Sequence, residues 1–206
     1  MTRFAVSLFV LLALVLASPS PSAAPIKEKE KPKTPDYYPL KAGSKWHYKV
    51  EADTGTTTTV VVHVAKIEKI DDVPLARLEA SIDGSVSMTE HLRSTDKGVF
   101  RHRFNGVEAS PPLCVLRYPV KKDDSWEQEV KAGKEELKMK SRVGTEDVEV
   151  PAGKFKAITV ESTGTAGGRM IISTCWYADS VGMVKQVVNL DGLVMTMQLE
   201  KYEEGK

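Results

Sequence analysis

The chain has 206 residues, 41% of them hydrophobic and 28% charged, with 29 Lys and Arg against 28 Asp and Glu. The resulting formal charge of +1 at pH 7 excludes recognition of nucleic acid or of an anionic bilayer by bulk electrostatics. Apolar content lies above the disordered range, and the length suffices for one sizeable core or two small ones.

Residues 1–24 read as a secretory signal peptide. Arg3 is their single charge, and residues 4–17 form an apolar run broken only by Ser7. That run is shorter than the about 20 residues a membrane-spanning helix needs, and small residues at Ala17 and at Ala23-Ala24 follow as cleavage sites. No cysteine is present there to carry a lipid anchor at a mature N-terminus. Residues 25–36, rich in proline with alternating Lys and Glu, read as a flexible linker. No second apolar run of transmembrane length follows, so residues 37–206 are expected to be an exported domain, periplasmic or extracellular, with no transmembrane segment after signal removal.

From residue 37 onward the pattern has period two. Trp46, Tyr48 and Val50 alternate with His47 and Lys49, and Leu78, Ala80 and Ile82 with Glu79 and Ser81. Leu137, Met139 and Ser141 alternate with Lys138 and Lys140, and Leu193, Met195, Met197 and Leu199 with Val194, Thr196 and Gln198. One wet and one dry face per stretch indicates antiparallel sheet. Asp83-Gly84, Asn105-Gly106 and Asp191-Gly192 sit between such runs as tight hairpin turns. The spacing predicts strands over 45–52, 56–70, 74–82, 85–94, 98–104 and 107–118, then 125–131, 134–149, 154–162, 169–178, 182–190 and 193–202. The two sets of six resemble each other: Tyr38-Pro39-Leu40-Lys41 before Trp46 returns as Tyr118-Pro119-Val120-Lys121 before Trp126. The fold class is therefore all-β, a single curved antiparallel sheet or half-open barrel of about twelve strands, built from two similar halves; two small sandwiches are the alternative.

The opening Tyr38-Pro39-Leu40-Lys41 with Trp46, the later Val150-Pro151-Ala152-Gly153 before Phe155, and Trp176-Tyr177-Ala178 followed by Gly182, Val184 and Lys185 together resemble a TapB-like family of exported bacterial β proteins of unknown function. The resemblance spans most of residues 37–190. It implies a distant likeness to LolA/LolB-type lipoprotein carriers, hence a concave apolar surface suited to acyl chains. Asp123-Asp124 departs from that pattern, which places a Gly-Asp turn there.

No chemistry-bearing motif stands out. His47, His63, His91 and His102 are scattered, with no metal-ligand spacing and no cysteine nearby, so neither metal nor cofactor is expected. Ser94-x-x-Lys97 lacks its companion motifs, and residues 164–168 lack the helix that a phosphate loop requires. Residues 97–104 only faintly resemble an RNA-binding strand, and Phe100 and Phe104 are assigned to the core. Cys114 and Cys175 form a candidate disulfide in an oxidising compartment, with two buried thiols as the alternative. The functional expectation is a non-enzymatic exported protein that binds a lipid or other hydrophobic ligand. Trp46, Tyr48, Trp126, Met139, Trp176, Met195 and Met197 are the candidate contacts. A protein–protein module of the cell envelope is the second expectation, meeting its partner through a sheet edge or the proline-rich tether.

Overall fold

The structure, a computed structural model, describes residues 35–205; the signal peptide and most of the linker lie outside the described residues. Twelve strands follow one another as hairpins: β1 (Lys45–Ala52), β2 (Thr57–Ile70), β3 (Val73–Ile82), β4 (Ser85–Thr95), β5 (Gly98–Phe104), β6 (Val107–Arg117), β7 (Ser125–Ala132), β8 (Glu135–Val150), β9 (Gly153–Ala166), β10 (Arg169–Ala178), β11 (Gly182–Leu190) and β12 (Leu193–Glu203). All twelve expected strands are present with ends within one residue, except that β9 runs on to Ala166 instead of stopping at 162. The turns take the backbone their residues favour. Asp83, Asn105 and Asp191 have φ of 49°, 47° and 51°, each followed by a positive-φ glycine, as two-residue hairpins joining right-twisted strands require.

The expectation of an open or half-open sheet is corrected. Strand β1 pairs with β12 from Lys45 opposite Glu203 to Ala52 opposite Met195, so the sheet closes into a barrel with every strand beside its sequence neighbours. An open sheet of this size would leave two edges of unpaired N–H and C=O groups; closure pairs them. The two-sandwich alternative is thereby excluded. Turns after odd-numbered strands lie at one end of the barrel. The other end holds the remaining turns, the lead-in from residue 35 and the segment after β12.

The internal resemblance has a structural counterpart at the lead-in to each half. Gly43 N–H donates to Val64 C=O (2.8 Å), Val64 N–H to Ser44 C=O (2.9 Å) and Ser44 N–H to Lys41 C=O (3.1 Å). Asp123, Val143, Asp124 and Lys121 repeat this arrangement at 2.9, 2.8 and 3.1 Å. The left-handed conformation that Gly43 supplies (φ 86°) is supplied by Asp123 (φ 66°), so Asp123-Asp124 keeps the turn that Gly43-Ser44 makes.

One joint in the wall differs from the rest. Strands β6 and β7 share only two paired positions, Ala109 with Ala132 and Ser110 with Lys131. Pro111 and Pro112 follow immediately and have no N–H to donate, so the ladder cannot continue. Beyond them the Gln128 side chain stands in for backbone: its Oε1 accepts from Cys114 N–H (2.8 Å) and its Nε2 donates to Cys114 C=O (3.0 Å). Replacing Gln128 with Leu leaves both Cys114 groups without partners and is expected to cost about 1–3 kcal/mol. Gln128→Glu, which keeps only the acceptor, should fall between wild type and Gln128→Leu in urea-denaturation midpoint.

Candidate functional site: the barrel interior

A barrel of eight strands is just filled by its inward side chains, whereas a sixteen-stranded one holds an aqueous channel. Twelve strands fall between these limits, and the interior is filled by unusually large groups. Trp46 and Tyr48 project inward from β1 at 2% exposure each, and Tyr177 does so from β10. The lead-in segment adds Tyr38, whose ring lies 5.8 Å from Tyr177 and 6.3 Å from Trp46. Their polar atoms are anchored: Trp46 Nε1 donates to Val181 C=O (2.6 Å), and Tyr48 Oη to Met183 C=O (2.7 Å). Burial drives the Tyr38, Tyr48 and Tyr177 hydroxyl pKa values up, so these phenols stay neutral.

Two adjoining cavities remain between these groups. One, of about 110 Å³, is bounded by Trp46, Tyr48, Leu78, Met88, Met183 and Met197 among others. The second, of about 200 Å³, is bounded by Leu113, Leu137, Met139, Val160, Ile171 and Val188 and lies behind the Gln128 joint. Arg101, Val115, Cys175, Tyr177 and Gln186 border both. An apolar cavity of about 150 Å³ accommodates a benzene-sized molecule. Met139 approaches closely because its neighbour across the ladder is Gly164; a Cβ there would lie 2.6 Å from the Met139 sulfur and closer still to Lys138 C=O.

Arg101 sits at the junction of the cavities. Its Nη2 donates to Glu90 Oε1 at 3.0 Å, while its buried Nε has no protein partner. Sequence reading missed this residue because it placed Phe100 and Phe104 in the core. The register of β5 shifts twice, after Val99 and again after Arg101. Val99 is fully buried, and Arg101, two positions on, points in by the same alternation; His102 is the extra residue that follows, and Phe104 is 42% exposed with the Arg101 guanidinium 5.6 Å from its ring centroid. The only available signal was a basic residue two positions after a valine on a short strand, which is indistinguishable from a surface residue.

The seven expected contacts divide. Trp46, Tyr48 and Met197 border the first cavity and Met139 the second. Trp126 packs in the core with Val99, Leu116 and Val143 beneath the Arg117 guanidinium, which lies 5.1 Å from its ring. Met195 is half-buried and borders neither cavity. Trp176 faces away from Cys175 and Tyr177 by strand alternation. It is held there by a bond from its Nε1 to Glu146 Oε2 (2.8 Å), by Lys185 Nζ 4.7 Å from the ring centroid, and by Val148, Val150 and Ala157 of the long β8–β9 hairpin. The tip of that hairpin reaches β12, where Ala152 N–H donates to Leu199 C=O (2.9 Å).

The cysteines are free thiols, and the candidate disulfide is absent from the structure. Strand β6 carries Cys114 and β10 carries Cys175, four positions apart around the barrel, so the residues reach the wall of the same cavity from different sides. Desolvation raises both thiol pKa values. Among the described residues no three His, Cys, Asp or Glu side chains cluster as metal ligands, and no helix is long and apolar enough to cross a membrane.

A separate open groove of about 770 Å³ lies at the lead-in end, where the two Tyr-Pro segments meet: Tyr37 and Tyr38 on one side, Tyr118, Pro119 and Val120 on the other. Burial, with Asp36 nearby, pushes the Tyr118 hydroxyl up to about 12.

These features define an up-and-down β-barrel with a mostly apolar, incompletely filled interior and an ion pair bordering its cavities. Comparison with solved structures gives the same architecture. A "putative lipoprotein" from Parabacteroides distasonis is similar at a TM-score of 0.52 and 14% identity, covering 83% of this chain and 100% of that one. A "putative exported protein with YmcC-like fold" from Bacteroides fragilis is similar at 0.53 and 15% identity, covering 82% and 100%. No family model and no curated protein matches the chain, and neither the TapB-like nor the LolA/LolB-type resemblance gains support. The structural likeness establishes the fold.

The raised thiol pKa values carry a chemical expectation. A thiol reagent such as iodoacetamide needs the thiolate. At pH 8 both Cys114 and Cys175 should alkylate far more slowly in the native protein than in urea, as mass spectrometry over a time course would show.

Proposed function

We propose that the chain is an exported, non-enzymatic binding protein of the bacterial envelope whose barrel interior takes up a small hydrophobic molecule or the acyl part of a lipid. The observation that carries this reading is the pair of adjoining interior cavities bordered by Trp46, Tyr48, Met139 and Met197. Methionine suits such a wall because its unbranched, polarisable side chain repacks around different occupants at little cost. The leader read from residues 1–24 and the names of the two similar structures support export and an envelope location.

The test uses protein carrying ¹³C-methyl methionine. Titration with octane should shift the Met139 and Met197 methyl resonances saturably, while Met170, 56% exposed on the surface, should not move. Leu137→Phe, which places a ring in the larger cavity, should abolish the Met139 response and leave the fold intact by circular dichroism. Absence of any saturable shift in the wild type would remove the proposal.

A second reading, an envelope interaction module, is favoured by a different observation. Closure leaves no free sheet edge at β1 or β12, but among the described residues six of the seven large exposed apolar side chains gather at one end of the barrel: Val86, Phe104, Val107, Met170, Ile172 and Leu193. They flank the turns of four hairpins, and such concentration marks contact surfaces more often than scattered single residues do. Recovery of a partner from envelope extracts should be lost on combining Phe104→Ser, Met170→Ser and Leu193→Ser, and retained on deleting residues 25–34. The opposite pattern would assign the contact to the tether.

A further inference from the structure

The interior carries a specific polar demand in addition to its apolar walls. Arg101 and Glu90 are the oppositely charged pair that borders the first cavity, and they neutralise each other through the 3.0 Å bond. Every other titratable group nearby stays neutral: Tyr38 from the lead-in, Tyr48 from β1, Tyr177 and Cys175 from β10, and Cys114 from β6 all have pKa values raised by burial. The lumen therefore has no net charge. It does have one donor without a protein acceptor, Arg101 Nε, buried where both cavities meet. Gln186 borders the same junction, its Nε2 within 3.4 Å of Ser173 Oγ.

These two facts act on ligand choice in different ways. A buried N–H without an acceptor costs free energy that an occupant's oxygen recovers, so the ligand should bring an acceptor to Arg101. A ligand that also brought a full negative charge would leave the lumen at net −1 in a poorly solvated space, and that charge would lie close to the Glu90 carboxylate. We infer that the ligand class is an uncharged amphiphile, with an ester or amide carbonyl accepting from Arg101 Nε and a short apolar chain in the cavities beside Met139 and Met197. Free fatty acids are disfavoured by the same arrangement. This inference rests on the interior-binding reading above and narrows it to a head group.

The experiment compares octane, octanamide and octanoate on the full chain at pH 7.5, using the methionine methyl shifts as readout. Octanamide should bind roughly tenfold or more tightly than octanoate, and also more tightly than octane relative to its own cost of leaving water. The Glu90→Gln variant leaves Arg101 unneutralised, so the order should invert, with octanoate the tighter ligand. Replacing both partners (Glu90→Gln with Arg101→Met) avoids stranding a buried charge and should erase the advantage of octanamide while octane still binds. The wild-type comparison decides the matter even where a variant fails to fold. Octane binding without a preference for octanamide would overturn the head-group inference and leave the binding reading standing. A wild-type preference for octanoate would overturn it in the same way. Failure of all three probes would overturn both.

Discussion

Closure is the constraint on which the rest depends. Once β1 pairs with β12, each strand has two neighbours, and one side chain in two along each strand must be accommodated inside. The interior is too wide for ordinary valine and leucine layers to meet at the centre, which explains why its largest occupants come in aromatic and methionine form. It also explains why the lead-in segment contributes Tyr38 to a space that strand residues alone do not fill. The ion pair is tolerated beside the cavities because Arg101 and Glu90 neutralise each other there; removing one of such a pair costs far more than replacing both.

The β6–β7 joint shows how the ring tolerates a break in its own rule. Proline removes the donors that would continue the ladder, and a carboxamide two strand positions beyond Trp126 restores one donor and one acceptor. The larger cavity lies directly behind this joint. A wall tied by a side chain is easier to open than one tied by a continuous ladder, because local opening free energy follows the number of buried bonds that must break.

Much of the fold was legible in the sequence because its signals are local. Alternation such as Leu137-Met139-Ser141 and turns such as Asp191-Gly192 depend on adjacent residues, and every strand they marked is present. Closure was not legible, since the pairing of Lys45 with Glu203 joins residues at opposite ends of the domain and leaves no trace in either neighbourhood. The candidate site was legible in part, through Trp46, Tyr48, Met139 and Met197, whose faces follow simple alternation. It failed at β5, where the odd positions Val99 and Arg101 face inward while the aromatic residues Phe100 and Phe104, which suggested the opposite face, are half-buried and 42% exposed. Trp176 misled for another reason: a buried tryptophan on a barrel strand can be covered from outside, here by the β8–β9 hairpin.

The segments that lead into β1 and out of β12 lie against each other. Gly205 N–H donates to Ser44 Oγ at 3.0 Å, and Lys41 pairs with Glu204. A ring whose ends adjoin has no privileged starting strand. Joining residue 205 to residue 35 through a bridge long enough to leave the lead-in and its Tyr38 in place, and cutting at the β6–β7 connection, would give a circularly permuted chain whose new termini fall at the joint that backbone pairing holds least. Each set of six hairpin-linked strands, β1–β6 and β7–β12, would then remain an uninterrupted run behind its own lead-in turn, at Gly43 or at Asp123.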